Sequence, residues 1–117
     1  MLTLRVPLKE LVEAAKKVPP DSNVRVDMNY DCLILISNAL NGDWPIVDGY
    51  VTKNGRKRDV LVCAACLQRA LAKIPDVELV DVSITDERKS LIIKFQYKRS
   101  KPEQITVPNS ELTYSYC

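Results

Sequence analysis

The feature that most constrains the fold is an order of apolar patterns that occurs twice along the chain. Residues 2–6 alternate apolar and polar side chains, as do residues 60–62, and each segment precedes an apolar stripe at helical spacing. Each stripe stops at a proline, Pro19 and Pro75, which are 56 residues apart. Apolar periodicity alone would align any two such units. Because the order, the lengths and the helix-stopping proline agree as well, the pattern predicts an internal repeat.

Each half of the chain is predicted to contain a strand, a helix and a hairpin. In the first half these are residues 2–6, 8–18, 24–28 and 32–36, and in the second half residues 60–62, 66–74, 80–84 and 91–97. Pro7 is placed at the first helical position. Further strands are predicted at residues 44–51, 104–107 and 112–116. The pattern therefore predicts two tandem βαβββ units, about residues 1–52 and 58–117.

The fold class follows from how these elements bury their apolar faces. A chain of 117 residues with 46% apolar residues has enough for one core, so we expect a single domain. Two helices with single apolar stripes close that core when they lie side by side on one face of a mainly antiparallel sheet, an α+β arrangement. Their opposite faces then point to solvent and are net basic. The cations on these faces are Lys9, Lys16, Lys17, Arg69 and Lys73.

Composition argues against several function classes. The chain has no histidine, the commonest general base, and its three glycines form no phosphate-binding loop, so we expect neither an enzyme nor a cofactor site. We also expect no metal site and no small-molecule substrate. A net charge of +2 excludes DNA binding by overall charge alone. Because no signal peptide and no membrane-spanning stretch is evident, we expect a soluble cytoplasmic protein without membrane contacts.

One stretch resembles a known protein family. Residues 60–76, VLVCAACLQRALAKIPD, followed by residues 87–94, ERKSLIIK, resemble a helix and hairpin of a bacterial DNA sliding clamp, the processivity factor of replicative polymerases. Residues 2–36 resemble the opening of a clamp domain. Clamp domains are pseudo-symmetric pairs of βαβββ units with both helices on one face. The resemblance therefore implies the same fold and a non-enzymatic binding or assembly role.

The resemblance also implies partners. The outward helix faces would line a channel and attract the phosphates of duplex DNA without reading bases, through Lys9, Lys16, Lys17, Arg69 and Lys73. An ordinary solvated helix face is the alternative interpretation of these residues. Clamp chains normally carry two or three such domains, whereas this sequence carries one. A ring would therefore need several copies of the chain. Replication proteins or other clamp-associated proteins are further expected partners.

A second group of cations lies between the two units. Lys53, Arg56, Lys57 and Arg58 fall within six residues. Such a run can bind phosphate or an acidic partner, or it can be a solvated linker.

The strongest chemical motif is Cys63-Ala64-Ala65-Cys66. Two thiols at a helix start suit thiol-disulfide exchange, because the helix N-terminus favours a thiolate. A small thiol-redox or accessory protein is therefore the alternative function. Against it, Cys63 aligns with Pro7 and Cys66 lies in the apolar stripe of the helix, so packing explains both.

The end of the chain carries the last candidate site. Leu112, Tyr114 and Tyr116 alternate with polar residues, which is typical of an edge strand. Such a strand can pair with another copy or a partner, or it can be the last strand of its own sheet. The pattern leaves both interpretations open.

Overall fold

A computed structural model of the chain describes residues 1–111. The predicted strand at residues 112–116, and with it Leu112, Tyr114 and Tyr116, lies outside the described residues.

The described elements follow the predicted order. The first unit contains β1 (Thr3–Pro7), α1 (Leu8–Lys16), β2 (Asn23–Met28), β3 (Cys32–Ile36), a 3₁₀ turn (Asn38–Leu40), β4 (Ile46–Asp48) and β5 (Tyr50–Lys53). The second unit contains β6 (Asp59–Cys63), α2 (Ala64–Ala72), β7 (Leu79–Ile84), β8 (Ser90–Phe95) and β9 (Glu103–Pro108). The first strand, the helix and the second strand of one unit each begin and end 56 residues from their counterparts. The tandem βαβββ organisation is thus confirmed, with the last strand of the first unit divided into β4 and β5.

The strands form two antiparallel sheets. One sheet has the order β5-β1-β7-β8-β9 and the other has the order β4-β3-β2-β6. The two helices lie side by side, with α1 against β1 and β4 and α2 against β6 and β9, so each helix touches both sheets. The predicted α+β class is confirmed. Alternation does not specify the division into two sheets, because it reports only which face of a strand is buried.

The two units exchange their first strands. β1 pairs with β7, where Leu4 lies opposite Val82, and β6 pairs with β2, where Val62 lies opposite Val24. These four side chains are at most 1% exposed and lie in one core cluster shared by both units. Each unit therefore completes a sheet of the other, and neither closes its own core alone.

The helix ends also repeat. Pro7 and Cys63 are the N-cap residues of α1 and α2, with φ and ψ of −66° and 129° at Pro7 and −68° and 129° at Cys63. The prediction that Pro7 occupies the first helical position is wrong by one residue, because the proline ring holds the extended cap conformation instead. At the other ends, Lys17 and Lys73 are the C-cap residues. The alignment of Cys63 with Pro7 is thus confirmed in backbone geometry.

The prediction of one strand at residues 44–51 is wrong. The segment forms two short strands, β4 and β5, which belong to different sheets and are separated by Gly49. The Gly49 amide donates to the Asp31 carbonyl at 2.9 Å. A Cβ at position 49 would lie 2.5 Å from the Arg5 carbonyl oxygen and 2.6 Å from Val6 Cγ1. Glycine is required because the chain crosses between sheets in contact with the backbone of β1.

We predict that Gly49→Ala lowers the free energy of unfolding by about 1–3 kcal/mol, because a backbone carbonyl and a packed valine cannot both move away. Denaturant unfolding measures the change. Gly42→Ala is the comparison, since its added Cβ meets no atom within 4 Å and the loss comes only from its φ of +86°. An unchanged unfolding midpoint for Gly49→Ala would contradict the close approach.

Candidate nucleic-acid interface

The helical surface is held together by one side chain between the helices. Gln68 of α2 donates from Nε2 to the carbonyl oxygens of Ala15, at 3.0 Å, and Val18, at 2.9 Å. These carbonyls belong to the last turn of α1 and the residues that follow it, where backbone acceptors lack partners within the helix. The bond therefore satisfies the end of α1 and fixes it against α2. As a result the outward faces of both helices form one continuous surface, which we call the helical face.

The five predicted cations lie on this helical face. Lys9, Lys16, Lys17, Arg69 and Lys73 all have exposed side chains. None of them forms an ion pair with another residue of the range 1–111, although Arg69 Nε donates to the Ala65 carbonyl at 3.4 Å. Glu10 and Glu13 of α1 are exposed as well. The helical face is therefore basic, with five cations against two carboxylates.

The charge is unequal between the two helices. The two carboxylates and three of the lysines belong to α1 and its C-cap, whereas Arg69 and Lys73 on α2 have no exposed carboxylate within the helix. Lys17 and Lys73 occupy equivalent C-cap positions. There a cation also stabilises the helix itself through the partial negative charge of the C-terminal carbonyls. Helix stability thus explains part of this charge without any ligand.

The predicted basic loop is packed against both hairpin turns. The Lys57 ammonium lies 5.2 Å from the centre of the Tyr30 ring, and the Tyr30 hydroxyl donates to the Gly55 carbonyl at 3.3 Å. Arg58 pairs with Asp86 at 3.5 Å. Lys53 is the last residue of β5, and Arg56 is exposed. Two of the four cations are thus engaged with the protein.

The structure separates this loop from the start of the helices. The loop leads into β6 at Asp59 and contacts Leu2 ahead of β1, because a Cβ on Gly55 would lie 2.4 Å from the Leu2 amide nitrogen. Both helices begin at the opposite ends of these strands, after Pro7 and Cys63. The basic loop therefore lies at the ends of β1 and β6 that are opposite the helix N-termini.

The two cysteines of the motif occupy a helix cap position and a position in the core. Cys63 carries a free thiol, so it is not joined to Cys66, and Cys66 is only 6% exposed within the core cluster. Cys63 occupies the cap position that Pro7 fills in the first unit. A residue without a thiol therefore serves the same backbone role, so the cap position explains Cys63 without redox chemistry. In residues 1–111 no three side chains of His, Cys, Asp or Glu are grouped to hold a metal ion.

A second free thiol lies at the start of β3. Burial raises the pKa of the Cys32 thiol, and the neighbouring Asp31 carboxylate raises it further. A raised pKa leaves less thiolate at neutral pH, which is the opposite of what a reactive cysteine needs.

An ion-pair network that sequence patterns missed lies on the sheet side away from the core. The Asp59 carboxylate binds Arg25 Nη1 through Oδ2 at 3.0 Å and Arg88 Nη2 through Oδ1 at 3.0 Å. Arg88 Nε also donates to the Asp59 carbonyl at 3.0 Å. The network joins β2, β6 and the turn after β7. No local spacing indicates it, because the three residues are at least 29 positions apart.

The architecture matches a solved structure. Neither a scan of protein-family models nor a search of curated proteins found a match. The crystal structure of the DNA polymerase III β subunit from Thermotoga maritima aligns with a TM-score of 0.57 and 14% sequence identity, over 100% of this chain and 33% of that one. The chain has a DNA-clamp-like fold. It spans about a third of that β subunit, and at this identity the likeness shows the fold alone.

The clamp-like fold thus confirms the resemblance at the level of architecture. None of the helices within residues 1–111 is both long and apolar enough to cross a membrane.

We predict that Gln68→Ala lowers the free energy of unfolding by about 1–3 kcal/mol, because in a partly buried position the Val18 carbonyl loses its side-chain donor and the Ala15 carbonyl keeps only the Val18 amide. The matched control is Gln96→Ala, which removes one exposed bond to the Ser100 carbonyl and should cost less than about 0.5 kcal/mol. Urea unfolding of both variants tests the difference. Equal losses would show that the bridge does not stabilise the helical face.

Proposed function

We propose that this chain is a non-enzymatic clamp-like module whose helical face lies against duplex DNA. The observation that carries the proposal is the set of five exposed cations on two adjacent helices, none of them paired with another residue of the range 1–111. A cation without an intramolecular partner can neutralise a phosphate without first breaking an ion pair. Each such contact also releases a counterion from the DNA.

The contacts are to the phosphate backbone and carry no base specificity. The helical face presents four lysines and one arginine on the outer surface of a two-helix layer. Phosphate contacts position a protein on the duplex, whereas sequence is read at base edges. The expected ligand is therefore duplex DNA of any sequence.

A single copy binds DNA weakly in this proposal. Glu10 and Glu13 stand among the cations of α1, and the net charge of the chain is only +2. Several copies on one duplex would act together, because each further copy binds at a high effective concentration. The proposed module therefore works as an assembly.

The neighbouring exposed edges at β4 and β5, one from each sheet, are the proposed contact with a second copy or a replication protein. Ile46 is 61% exposed, Tyr50 is 54% exposed and Trp44 is 40% exposed, and all three lie on or beside these edge strands. A sheet edge offers unpaired backbone groups, and apolar side chains next to it are typical of an interface. Pairing of one of these edge strands with a different edge of the next copy gives a ring or a filament.

The test of DNA binding is its dependence on salt. The logarithm of the binding constant should fall with the logarithm of salt concentration with a slope of about −4 to −5 if all five cations contact phosphates. Changing Lys16, Lys17 and Lys73 together to Glu should reduce the slope by about three and abolish binding at moderate salt. Fluorescence anisotropy of a labelled duplex measures both quantities.

The matched control reverses three exposed cations away from the helical face. Lys94, Arg99 and Lys101 changed to Glu give the same change in net charge, so binding through overall charge would fall equally in both triple variants. The proposal requires the control to retain the wild-type slope. No binding of the wild-type chain at low salt would contradict the proposal outright.

A further inference from the structure

The end of β8 and the turn that follows it concentrate positive charge. Residues 94–103 contain four cations and one carboxylate, a local charge of +3 in a chain whose net charge is +2. The cations are Lys94, Lys98, Arg99 and Lys101, and the carboxylate is Glu103. All four cations are exposed, and none of them forms an ion pair within residues 1–111. The helical face does not account for this second basic group.

The turn between β8 and β9, residues 96–102, is closed by hydrogen bonds, and we call it the basic turn. The Ser100 amide donates to the Tyr97 carbonyl at 3.0 Å, and Gln96 Nε2 donates to the Ser100 carbonyl at 2.9 Å. The Lys98 ammonium lies 5.1 Å from the centre of the Tyr97 ring. A ligand that binds a turn already held in this way loses less conformational entropy than one that binds a flexible loop.

Both ends of the basic turn line an open cavity of about 280 Å³. The lining includes Arg5, Leu79, Asp81, Lys94, Gln96 and Pro102. The cavity lies on the outward side of the five-stranded sheet, because Leu79 and Asp81 alternate along β7 with the buried Val80 and Val82. Clefts that enclose whole small-molecule ligands measure about 300–1,000 Å³. This cavity therefore suits a side chain of a partner better than a whole ligand of that size.

The charges inside the cavity do not balance. Arg5 donates to both carboxylate oxygens of Asp81, from Nε at 2.7 Å and from Nη2 at 3.0 Å. Lys94 lies opposite Asp81 in the pairing of β7 with β8, yet it forms no ion pair with any residue of the range 1–111. The cavity thus holds two cations and one carboxylate. The Lys94 ammonium remains available to an acidic group of a ligand.

The cavity also has an apolar part. Leu79 is 39% exposed although it is a large apolar side chain, and Pro102 lines the cavity as well. The phosphate backbone of a nucleic acid offers anions but no aliphatic side chain, and the Asp81 carboxylate repels a phosphate. A peptide offers carboxylates together with an aliphatic side chain. The combined chemistry therefore favours an acidic peptide as the occupant.

We propose that this cavity and the basic turn bind an acidic segment of a partner protein. One aliphatic side chain of the segment lies beside Leu79, and its carboxylates pair with Lys94, Arg99 and Lys101. The helices pack on the buried side of the five-stranded sheet, whereas the cavity opens on the outward side. A partner bound here therefore leaves the helical face open to DNA, and the proposal does not depend on DNA binding.

Fluorescence anisotropy of the full chain with a labelled peptide tests the proposal. The probe is a short fluorescein-labelled peptide of Asp and Glu with a central Leu. Changing Lys94, Arg99 and Lys101 together to Glu should weaken its binding about tenfold or more, because three favourable charge contacts become repulsive. The triple Glu variant of the helical face gives the same change in net charge. It is the matched control and should leave the peptide affinity within about twofold of wild type.

The variant Leu79→Ser tests the apolar part separately. The Leu79 side chain is already 39% exposed, so its replacement does not empty a core position. The change should weaken binding of the Leu peptide about threefold or more, because apolar contact area is lost. The same variant should bind a peptide with Ser in place of Leu within about twofold of wild type.

The outcomes distinguish the possible occupants. No binding of either peptide by the wild type at low salt overturns the proposal. Equal losses in the two triple variants show attraction by overall charge and overturn it as well. Tighter binding of oligothymidine than of the Leu peptide, through the same three cations, overturns it in favour of single-stranded nucleic acid. If Leu79→Ser changes the binding of both peptides equally, or of neither, the cavity does not hold the aliphatic side chain and the proposal is wrong.

Discussion

The structure depends on the exchange of first strands between the two units. β1 lies against β7 and β6 lies against β2, so each sheet contains strands of both halves of the chain. Arg5 reinforces the first exchange, because its Nε and Nη2 donate to the two carboxylate oxygens of Asp81 at 2.7 and 3.0 Å. Folding of either half alone would leave a strand without its neighbour. The repeat therefore produces one cooperative core.

The helical face exists only because of that core. α1 and α2 have nine residues each, which is shorter than an isolated helix needs to be stable in water. Packing of their buried sides on both sheets, together with the Gln68 bridge, supplies the missing stability. The grouping of the cations on one surface thus depends on the tertiary packing of the two helices. The repeat preserves the apolar side of the helices, but on the charged side only the C-cap lysines Lys17 and Lys73 correspond, since Lys9 and Lys16 align with Ala65 and Ala72.

The sequence predicted most of the local structure. Alternation and helical spacing report which face of an element is buried, and they located both helices and the repeat. They do not report which strands are neighbours, so the strand exchange and the division into two sheets came only from the structure. Gly49 was the available signal for the break at residues 44–51, because a glycine inside a strand pattern often marks a close backbone approach.

Only part of the candidate site was predictable, because local patterns do not report which distant residues are in contact. The positions of the five cations follow from helical periodicity, and all five lie on the exposed face as predicted. The Gln68 bridge and the Asp59 network join residues far apart in sequence, which no local pattern indicates. The Gln68 bridge fixes the two helices that carry the charge, whereas the Asp59 network joins β2, β6 and the turn after β7.

An NMR titration of the full chain with a short duplex of random sequence tests most directly whether the helical face binds DNA. Binding through the helical face predicts amide shift changes concentrated on α1, α2 and their C-cap residues Lys17 and Lys73, with little change on β7 and β8. Shift changes concentrated on the outward faces of the sheets would contradict it, because the helical face would then not be the binding surface.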